Sequence, residues 1–293
     1  MNPIESTQNS FNLKFSDRDY HIITEFVYKT AGINLLEGKK ELVRTRLGKR
    51  MRQLQMTDFS AYVKHVMNDE TGEEIIFLLD ALATNLTSFF REDQHFTFMA
   101  TNMLPAMEAK CRAKGNRRLR IWSAACSSGE EPYTIGMVIL EKSPFFAQGG
   151  DCKILATDIS TKVLGMAQKG LYGPERMKTV PPMLVSKYFQ KTTGEKGSTM
   201  YQVTPQLRNL IAFRRLNLMD PLPFKNPLDL IFCRNVMIYF DSDTRSSLIM
   251  RLYNMMAPGG YLFIGHSESL TNIAHGFKYL QPSVYRKPLE QKP

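Results

Sequence analysis

Two adjacent glutamates, Glu130 and Glu131, stand where an apolar strand gives way to a helix, in the segment IWSAACSSGEEPY. In nucleotide-binding folds the corresponding turn offers bare backbone N–H groups to a pyrophosphate, and the helix N-terminus adds positive potential. Two carboxylates there would repel a phosphate, and they favour a cofactor that carries a positive amine and no phosphate. S-adenosylmethionine is the common cofactor of that description. The simpler alternative is that both glutamates only complement the helix dipole.

Polar residues also follow three later candidate strands. Asp158 closes ILATDIS, Asn217 follows the next strand, and Arg234 with Asn235 interrupts the apolar run IFCRNVMIYFD. Ligands of open parallel sheets bind at the carboxyl ends of the strands, near the point where strand order reverses, so these residues are expected to share one site. A carboxylate such as Asp158 suits two ribose hydroxyls. A helix N-cap for Asp158 and a structural salt bridge for Arg234 are the alternatives.

The connecting segment ATNLTSFFRE places Asn85, Thr87 and Arg91 among apolar residues, where a plain linker would be polar throughout. Arg91 is a candidate to bind a carboxylate, such as that of a methionine moiety. The alternative is capping, because Thr87 or Ser88 could begin the next helix.

Hydrophobic periodicity indicates the elements that must position these residues. Residues 17–86 follow a helical pattern, with Ser16 as the expected N-cap and a first stop at Gly32. After a helix over about 93–113, strands alternate with helices, which predicts a mainly parallel sheet covered on both faces. The predicted strands are 119–125, 153–158, 210–215, 228–233, 261–265 and an antiparallel pair within 277–286.

The alternation breaks between residues 172 and 205, where a helix and short antiparallel strands with a Gly-containing turn are expected. We therefore predict a flexible N-terminus over 1–15 and a helical domain over 16–84. An α/β domain over 85–293 follows, with an inserted β-subdomain at about 172–205.

Composition and charge limit the class of protein. The 293 residues carry a formal net charge of +10, which suggests an acidic partner. The excess is local, because residues 39–52 hold seven basic residues and one acid within a nearly neutral first 90 residues. The chain begins without a signal-peptide pattern, and no apolar run approaches the ~20 residues of a membrane helix, so a cytoplasmic location is expected. Its four cysteines and its histidines lack metal-site spacing, so no metal and no disulfide framework are expected.

The motifs ATNLTSFFRE, IWSAACSSGEEPYT, LATDIS, CRNVMIYF and GYLFIGHSES, in this order, resemble those of the CheR family of chemotaxis receptor methyltransferases. The resemblance covers nearly the whole chain. It implies an α/β fold of the class I S-adenosylmethionine-dependent methyltransferases, Rossmann-like with a mostly parallel seven-stranded sheet. A small all-α N-terminal domain and an inserted antiparallel β-subdomain complete that architecture. It also implies methyl transfer from S-adenosylmethionine to glutamate γ-carboxylates of methyl-accepting chemotaxis proteins, with S-adenosylhomocysteine as the product.

Matching motifs assign the cofactor contacts, with the second glutamate of the pair favoured. These contacts are Asn85, Thr87, Arg91, Glu131, Asp158, Asn217, Leu218, Arg234 and Asn235. We interpret Tyr239 and Arg234 as catalytic residues, and Arg46, Arg50 and Arg52 of the basic helix as receptor-recognition residues. A core role for Tyr239 and a plain solvated face for the basic helix are the alternatives.

The expected partners are the cytoplasmic coiled-coil helices of the receptors, without nucleic acid and without membrane insertion, and a monomer is the expected state. In the family the β-subdomain docks a receptor C-terminal peptide in some members and not in others, so peptide docking and its absence both remain open for this chain.

The alternative function is a nucleic-acid methyltransferase, suggested by the net charge and by the basic cluster over residues 110–120. Base-amine methyltransferases usually place an Asn-Pro-Pro-Tyr-like turn where this chain has CRNVMIYF. A non-catalytic adapter is less favoured, because competent residues fill the cofactor positions.

Overall fold

The computed structural model describes residues 15–35, 37–194 and 197–289. The flexible N-terminus predicted over 1–15 lies outside the described residues except for Phe15, which is buried and packs on the ring of Phe59 at 4.3 Å between centroids. The chain divides into two compact units, Met1–Ala83 and Thr84–Pro293. Across the described ranges, the helices are all too short or too polar to cross a membrane.

Within residues 15–35 and 37–83 the first unit contains four α-helices. They are α1 (Asp17–Ala31), α2 (Lys40–Gln53), α3 (Phe59–Met67) and α4 (Glu73–Leu82), with a 3₁₀ turn at Glu37–Lys39. Ser16 caps α1 as predicted: its hydroxyl accepts from the Asp19 backbone N–H, and the Asp19 carboxylate accepts from the Ser16 N–H. This reciprocal pair satisfies two donors that a helix start would otherwise leave unpaired. α1 ends at Gly32, whose φ of 69° suits glycine.

The second unit alternates helices and strands. Its helices are α5 (Gln94–Phe98), α6 (Leu104–Ala113), α7 (Glu130–Lys142), α8 (Pro144–Ala147), α9 (Thr161–Lys169), α10 (Pro174–Met177), α11 (Pro182–Tyr188), α12 (Pro205–Arg208) and α13 (Ser242–Met255). A π-helical turn, Met99–Met103, joins α5 to α6, and a 3₁₀ turn spans Met237–Tyr239. Its strands are β1 (Arg118–Ala124), β2 (Asp151–Asp158), β3 (Leu171–Tyr172), β4 (Phe189–Thr193), β5 (Thr199–Val203), β6 (Ile211–Arg215), β7 (Leu228–Cys233), β8 (Met256–Ile264), β9 (Lys278–Gln281) and β10 (Val284–Arg286).

Seven of these strands form one sheet in the order β6-β2-β1-β7-β8-β10-β9. The pairs among β6, β2, β1, β7 and β8 are parallel, and β10 is antiparallel to both of its neighbours. The predicted mainly parallel sheet with a final antiparallel hairpin is therefore confirmed. Buried apolar residues such as Ile121, Trp122 and Phe232 fill the core on both faces, which explains why the strands read as apolar runs.

Strand order reverses at β1, because β2 and β6 lie on one side of it and β7 and β8 on the other. Ala124 is level with Thr157 on β2 and with Cys233 on β7. The carboxyl ends of these three strands therefore open at one edge of the sheet, which is where open α/β folds bind ligands.

The region between residues 172 and 205 forms a separate three-stranded antiparallel sheet in the order β3-β5-β4, as predicted. Residues 195 and 196 of its turn lie outside the described residues. The Tyr172 hydroxyl donates to the carbonyl of Ser128 at 2.7 Å, and the rings of Phe189 and Phe89 pack edge-on at 5.5 Å. The insertion thus packs against the turn that follows β1.

Candidate functional site

The turn between β1 and α7 folds back tightly at the centre of the sheet edge. Ala125, Ser127 and Gly129 all have positive φ, at 56°, 49° and 95°. A side chain at Gly129 would place its Cβ 2.8 Å from the Cβ of Ala167, so only glycine fits there. Non-glycine residues in this conformation are strained by about 1 kcal/mol or more, and such strain clusters at functional turns.

The two glutamates that follow the turn have different partners. Glu130 is fully buried, accepts from the Ser128 hydroxyl at 2.8 Å and forms an ion pair with Arg176, which lies in the insertion. Glu131 accepts from the Ser123 hydroxyl at 2.7 Å and from Arg234 Nη1 at 3.0 Å. Glu130 therefore ties the turn to the insertion, whereas Glu131 faces the end of β7.

Arg234 has the partners that a buried guanidinium requires. Its side chain is only 2% exposed, and it donates to Glu92 Oε2 at 2.9 Å, to Glu131 Oε2 at 3.0 Å and to the Arg91 carbonyl at 2.5 Å. The salt bridge that the sequence left open as an alternative is therefore present. The same salt bridge connects the loop before α5, the start of α7 and the loop after β7. We refer to Glu92, Glu131 and Arg234 together as the wall of the site.

Ionisation of this wall is shaped by burial and by Arg234. Burial raises the pKa of Glu131, although the adjacent guanidinium and the Ser123 hydroxyl oppose that shift. Burial also acts to raise the pKa of Glu92, but the charge and hydrogen bonds of Arg234 outweigh it and hold that pKa below its ordinary value. Two carboxylates share one guanidinium, so the wall retains negative charge when both are ionised.

Asp158 lies at the carboxyl end of β2 and orders the neighbouring turn. Its carboxylate accepts from the Ser127 N–H at 2.8 Å and from the Ser160 N–H at 2.9 Å. Ser160, not Asp158, caps α9, so the N-cap alternative is wrong. Each carboxylate oxygen has a second lone pair, and Asp158 can still accept from a ligand hydroxyl.

Asn217 and Leu218 follow β6 at the same edge and are both largely buried. The side-chain oxygen of Asn217 accepts from the Met219 N–H at 3.0 Å, and Arg251 donates to the Leu218 carbonyl at 2.7 Å. These bonds fix the backbone of the loop that the resemblance assigned to the cofactor.

The segment ATNLTSFFRE leads into the site without forming a helix. The next helix begins only at Gln94, so capping by Thr87 or Ser88 is wrong. The Asn85 carbonyl accepts from the Ser127 hydroxyl at 2.9 Å, which joins this segment to the turn after β1. Arg91 donates to the Leu86 carbonyl at 2.9 Å and is partly exposed.

Asn235 and Tyr239 lie on the loop after β7, and a residue without an assigned role anchors that loop. Asn235 has a φ of 58°. The buried carboxylate of Glu268 accepts backbone N–H bonds from Asn235 at 3.0 Å, Met237 at 2.8 Å and Gly265 at 2.6 Å. Glu268 belongs to the motif GYLFIGHSES, so its motif was visible in the sequence, but its backbone partners were not.

Glu92 is the second site residue without an assigned role. It accepts from Arg234, and its other oxygen accepts from the Asn235 amide at 3.3 Å. It ends the quoted motif ATNLTSFFRE, next to Arg91, so the sequence marked its position without indicating its partners.

The predicted site residues are thus connected in two groups within the second unit. Asn85 and Asp158 meet through Ser127, and Glu131, Arg91 and Asn235 meet through Arg234 or its partner Glu92.

In the part of the chain that the structure describes, neither Thr87 nor Tyr239 forms a side-chain hydrogen bond to these groups. Tyr239 is partly buried and packs against the apolar core under β7 and β8.

The donor set at this edge fits S-adenosylmethionine. Carboxylates suit a positive ammonium or sulfonium group and vicinal ribose hydroxyls, and the partly exposed Arg91 suits a carboxylate. In the turn after β1, the backbone N–H of Ser127 donates to the Asp158 carboxylate. This N–H is therefore already paired and is not presented to a phosphate.

The three predicted recognition arginines in the first unit have unlike surroundings. Arg52 is exposed. Arg46 donates to the Leu82 carbonyl at 2.9 Å at the end of α4. Arg50 forms a bidentate pair with the buried Glu74, with Nη2–Oε2 at 2.6 Å, and stacks on the Phe77 ring at 3.7 Å. Arg50 therefore also holds the helices of this unit together.

Two family models match this chain. One, described as "CheR methyltransferase, SAM binding domain", matches residues 85–286, and the other, "CheR methyltransferase, all-alpha domain", matches residues 18–83. The chain is 38% identical to the "Chemotaxis protein methyltransferase" of Borreliella burgdorferi over 97% of this chain and 100% of that protein. It is 35% identical to the protein of the same name in Escherichia coli, over 95% of this chain and 93% of that protein. It is 39% identical to "Chemotaxis protein methyltransferase 2" of Pseudomonas aeruginosa, over 92% and 93%.

Proposed function

The chain belongs to the CheR methyltransferase family, and we propose that it methylates glutamate γ-carboxylates of methyl-accepting chemotaxis proteins. The products are a glutamate 5-O-methyl ester and S-adenosylhomocysteine. The observation that carries this proposal is the wall of Glu131, Arg234 and Glu92 at the strand-order reversal, because it presents net negative charge to a cationic cofactor. S-adenosylmethionine, when bound, supplies an electrophilic methyl on a sulfonium.

We assign the binding of that cofactor to residues on four strand ends and one connecting segment. Glu131 and Asp158 are the carboxylates that accept from amine and hydroxyl groups, and Arg91 is the cation for the cofactor carboxylate. Arg234 orients Glu131, and Ser127 links Asp158 to Asn85. The complete proposed set is Asn85, Thr87, Arg91, Glu131, Asp158, Asn217, Leu218, Arg234 and Asn235.

The acceptor needs no general base, because a glutamate side chain is already ionised at neutral pH. The residues of this chain then have to orient the acceptor and exclude water. In-line attack would form a bond from the carboxylate oxygen to the methyl carbon while the carbon–sulfur bond breaks, which removes the negative charge of the acceptor and the positive charge of the donor. Water stabilises the separated charges more than the transition state, so a dry and well-oriented site speeds the step. We assign Tyr239 and Arg234 to the shaping of this site.

The helical unit is proposed to recognise the receptor through its basic helix α2. Arg52 is exposed, and Arg44 is exposed with its charge shared with Glu41 at 2.7 Å. The acceptor regions of methyl-accepting chemotaxis proteins carry glutamates on cytoplasmic coiled-coil helices, so a basic surface favours encounter. We also propose that the protein acts in the cytoplasm as a monomer.

No observation favours the nucleic-acid alternative. Its basic cluster extends from the last turn of α6 to the start of β1, at the amino end of that strand and therefore opposite the candidate site. Several of its charges have local partners: Arg112 and Arg117 stack on the Phe145 ring at 4.4 and 4.9 Å, and Lys110 faces Asp229 at 3.5 Å.

The deciding experiment is transfer of tritiated methyl groups to receptor-containing membranes, to total RNA and to no acceptor. We expect label on the receptor alone, and we expect alkali to release it, since a carboxyl ester hydrolyses and a methylated base does not. Alkali-stable label on RNA would overturn the proposal. A parallel titration with a receptor C-terminal peptide tests the role of the three-stranded insertion. Saturable binding would assign this protein to the family members that dock the peptide. Absence of binding would assign it to the members that act without the peptide.

A further inference from the structure

Three side chains that could bind a metal ion converge beside Arg234. The proposed methyl transfer does not use them as metal ligands. Glu92 lies in the turn before α5, His95 is the second residue of α5, and His266 follows β8. Their nearest ligand atoms all lie within 4.8 Å of one another. His266 is distant from Glu92 and His95 in the sequence, so this third ligand joins the other two only through the fold.

His95 is the independent sign that this cluster takes a ligand. Its side chain is 0% exposed, and neither ring nitrogen has a hydrogen-bond partner among the described residues. Burial of an unsatisfied polar group destabilises the folded state, and coordination of an ion would remove part of that destabilisation. The ring is held in place by edge contacts with Phe263 at 5.4 Å and with His266 at 4.8 Å.

The distances suit a small divalent ion. His95 Nδ1 lies 3.5 Å from Glu92 Oε2, and His266 Nε2 lies 4.0 Å from the same oxygen. Metal–ligand bonds of about 2.0–2.2 Å in a tetrahedral site place the ligand atoms about 3.4 Å apart. The first pair is already at that spacing, and the His266 ring, which is 42% exposed, can turn inward to complete it.

The donor types select the class of ion. Two imidazole nitrogens and one carboxylate oxygen are the ligands of zinc and related transition metals, whereas magnesium and calcium prefer oxygen. Arg234 donates to Glu92 Oε2 at 2.9 Å, in the manner of the outer hydrogen bonds that orient a ligating carboxylate. The partial exposure of His266 leaves a path for entry and a fourth coordination position.

We propose that Glu92, His95 and His266 bind one divalent transition-metal ion of the zinc class. The ion would bind to the folded protein without the methyl donor and without the receptor. The proposed metal site shares Glu92 with the wall of the proposed methyl transfer, but its test requires neither the methyl donor nor the receptor.

The test is calorimetric titration of zinc into the chelator-treated, full-length protein, with cobalt as a spectroscopic probe. We expect one ion per chain and a visible d–d absorption with bound cobalt. His266→Ala should weaken binding at least tenfold, and His65→Ala, which removes an exposed histidine of α3, should leave it unchanged. His95→Phe fills the same buried space, so its loss of binding with an unchanged melting temperature would exclude unfolding as the cause.

Equal zinc affinity in the wild type, His266→Ala and His95→Phe would overturn the metal site. Binding of more than one weak ion per chain, with no visible cobalt spectrum, would overturn it as well. Neither result affects the receptor assay, because the titration contains neither cofactor nor acceptor. Loss of methyl transfer in that assay would likewise leave the zinc result standing.

Discussion

Glu131 and Arg234 form an ion pair at 3.0 Å across the point where strand order reverses. Glu131 is carried by the helix after β1, and Arg234 is the first residue after β7, which lies beside β1. The pair fixes the orientation of the carboxylate that we assign to the cofactor, and Glu92 completes it from the other side of the guanidinium.

The neighbouring glutamates provide the sharpest comparison. Glu131→Gln is expected to weaken S-adenosylmethionine binding about tenfold or more, because a hydrogen bond to a charged group contributes about 1.5–3 kcal/mol. Glu130→Gln should leave that affinity nearly unchanged, since Glu130 pairs with Arg176 of the insertion. Cofactor titration by calorimetry measures both variants. Equal losses in the two would contradict the assignment of Glu131.

Glu268 is predicted to act as a positioning residue for the loop that carries Arg234, Asn235 and Tyr239. Glu268→Ala leaves three backbone N–H groups without their acceptor, each at a cost of about 1–3 kcal/mol. We expect kcat to fall at least tenfold while KM for the receptor changes little, and we expect Glu268→Gln to restore part of kcat. Ser267→Ala, an exposed neighbour, is the control. If Glu268→Ala and Ser267→Ala had equal kcat, the loop would not depend on this carboxylate.

Tyr239→Phe tests whether the hydroxyl takes part in methyl transfer. Turnover should fall while cofactor affinity stays unchanged, since the ring packing against the core is retained. Single-turnover kinetics with receptor membranes measures the step. Tyr253→Phe is the matched control, because Tyr253 is also a partly buried tyrosine on the same core. Unchanged turnover in Tyr239→Phe would mean that this tyrosine serves packing alone.

Charge reversals on α2 should separate recognition from stability. Arg52→Glu replaces an exposed positive charge with a negative one, so receptor methylation should slow about two- to fivefold and depend less on salt, with unfolding unaffected. Arg50→Glu places a second carboxylate against the buried Glu74 and should destabilise the helical unit by about 3–5 kcal/mol. Thermal unfolding and methylation rates at two salt concentrations measure the difference. A loss of cofactor affinity in Arg52→Glu would argue against a role in recognition.

The stability of α1 should depend on acid pH through Asp19. Burial acts to raise the pKa of Asp19, but hydrogen bonds from Ser16 and Ser60 outweigh it and lower the pKa below its ordinary value of 3.8. A lowered folded-state pKa means that the carboxylate stabilises the fold above 3.8 and loses this effect as the pH falls further. Amide exchange of α1 should therefore accelerate below that pH, beyond the intrinsic rate. Asp19→Asn should exchange faster at neutral pH and lose the acid dependence; retention of that dependence would assign it to another group.

The elements were predictable wherever local pattern and burial agree. Ser16 and Gly32 bound α1 as predicted, since capping is decided within a few residues of sequence. The strand ends at Asp158 and Cys233 were also predicted correctly, because buried parallel strands are continuous apolar runs that polar residues terminate.

The partners of the side chains were not predictable in the same way. Glu130 and Glu131 are adjacent and chemically identical, yet one is tied to the insertion through Arg176 and the other to the end of β7 through Arg234. Arg50 and Arg52 share one basic run, yet only Arg50 meets a buried carboxylate. The helical repeat determines which face each residue occupies, but the neighbouring helix determines what it meets.

By itself the sequence determined the order of the elements, the family, and the set of polar residues at the strand ends. Only the tertiary structure decided that Glu92, Glu131 and Arg234 form one wall and that Glu268 anchors the loop beside it. The physical reason is that backbone preference and burial act over a few residues. Ion pairs and hydrogen bonds between distant segments exist only after the sheet has brought the carboxyl ends of its strands to one edge.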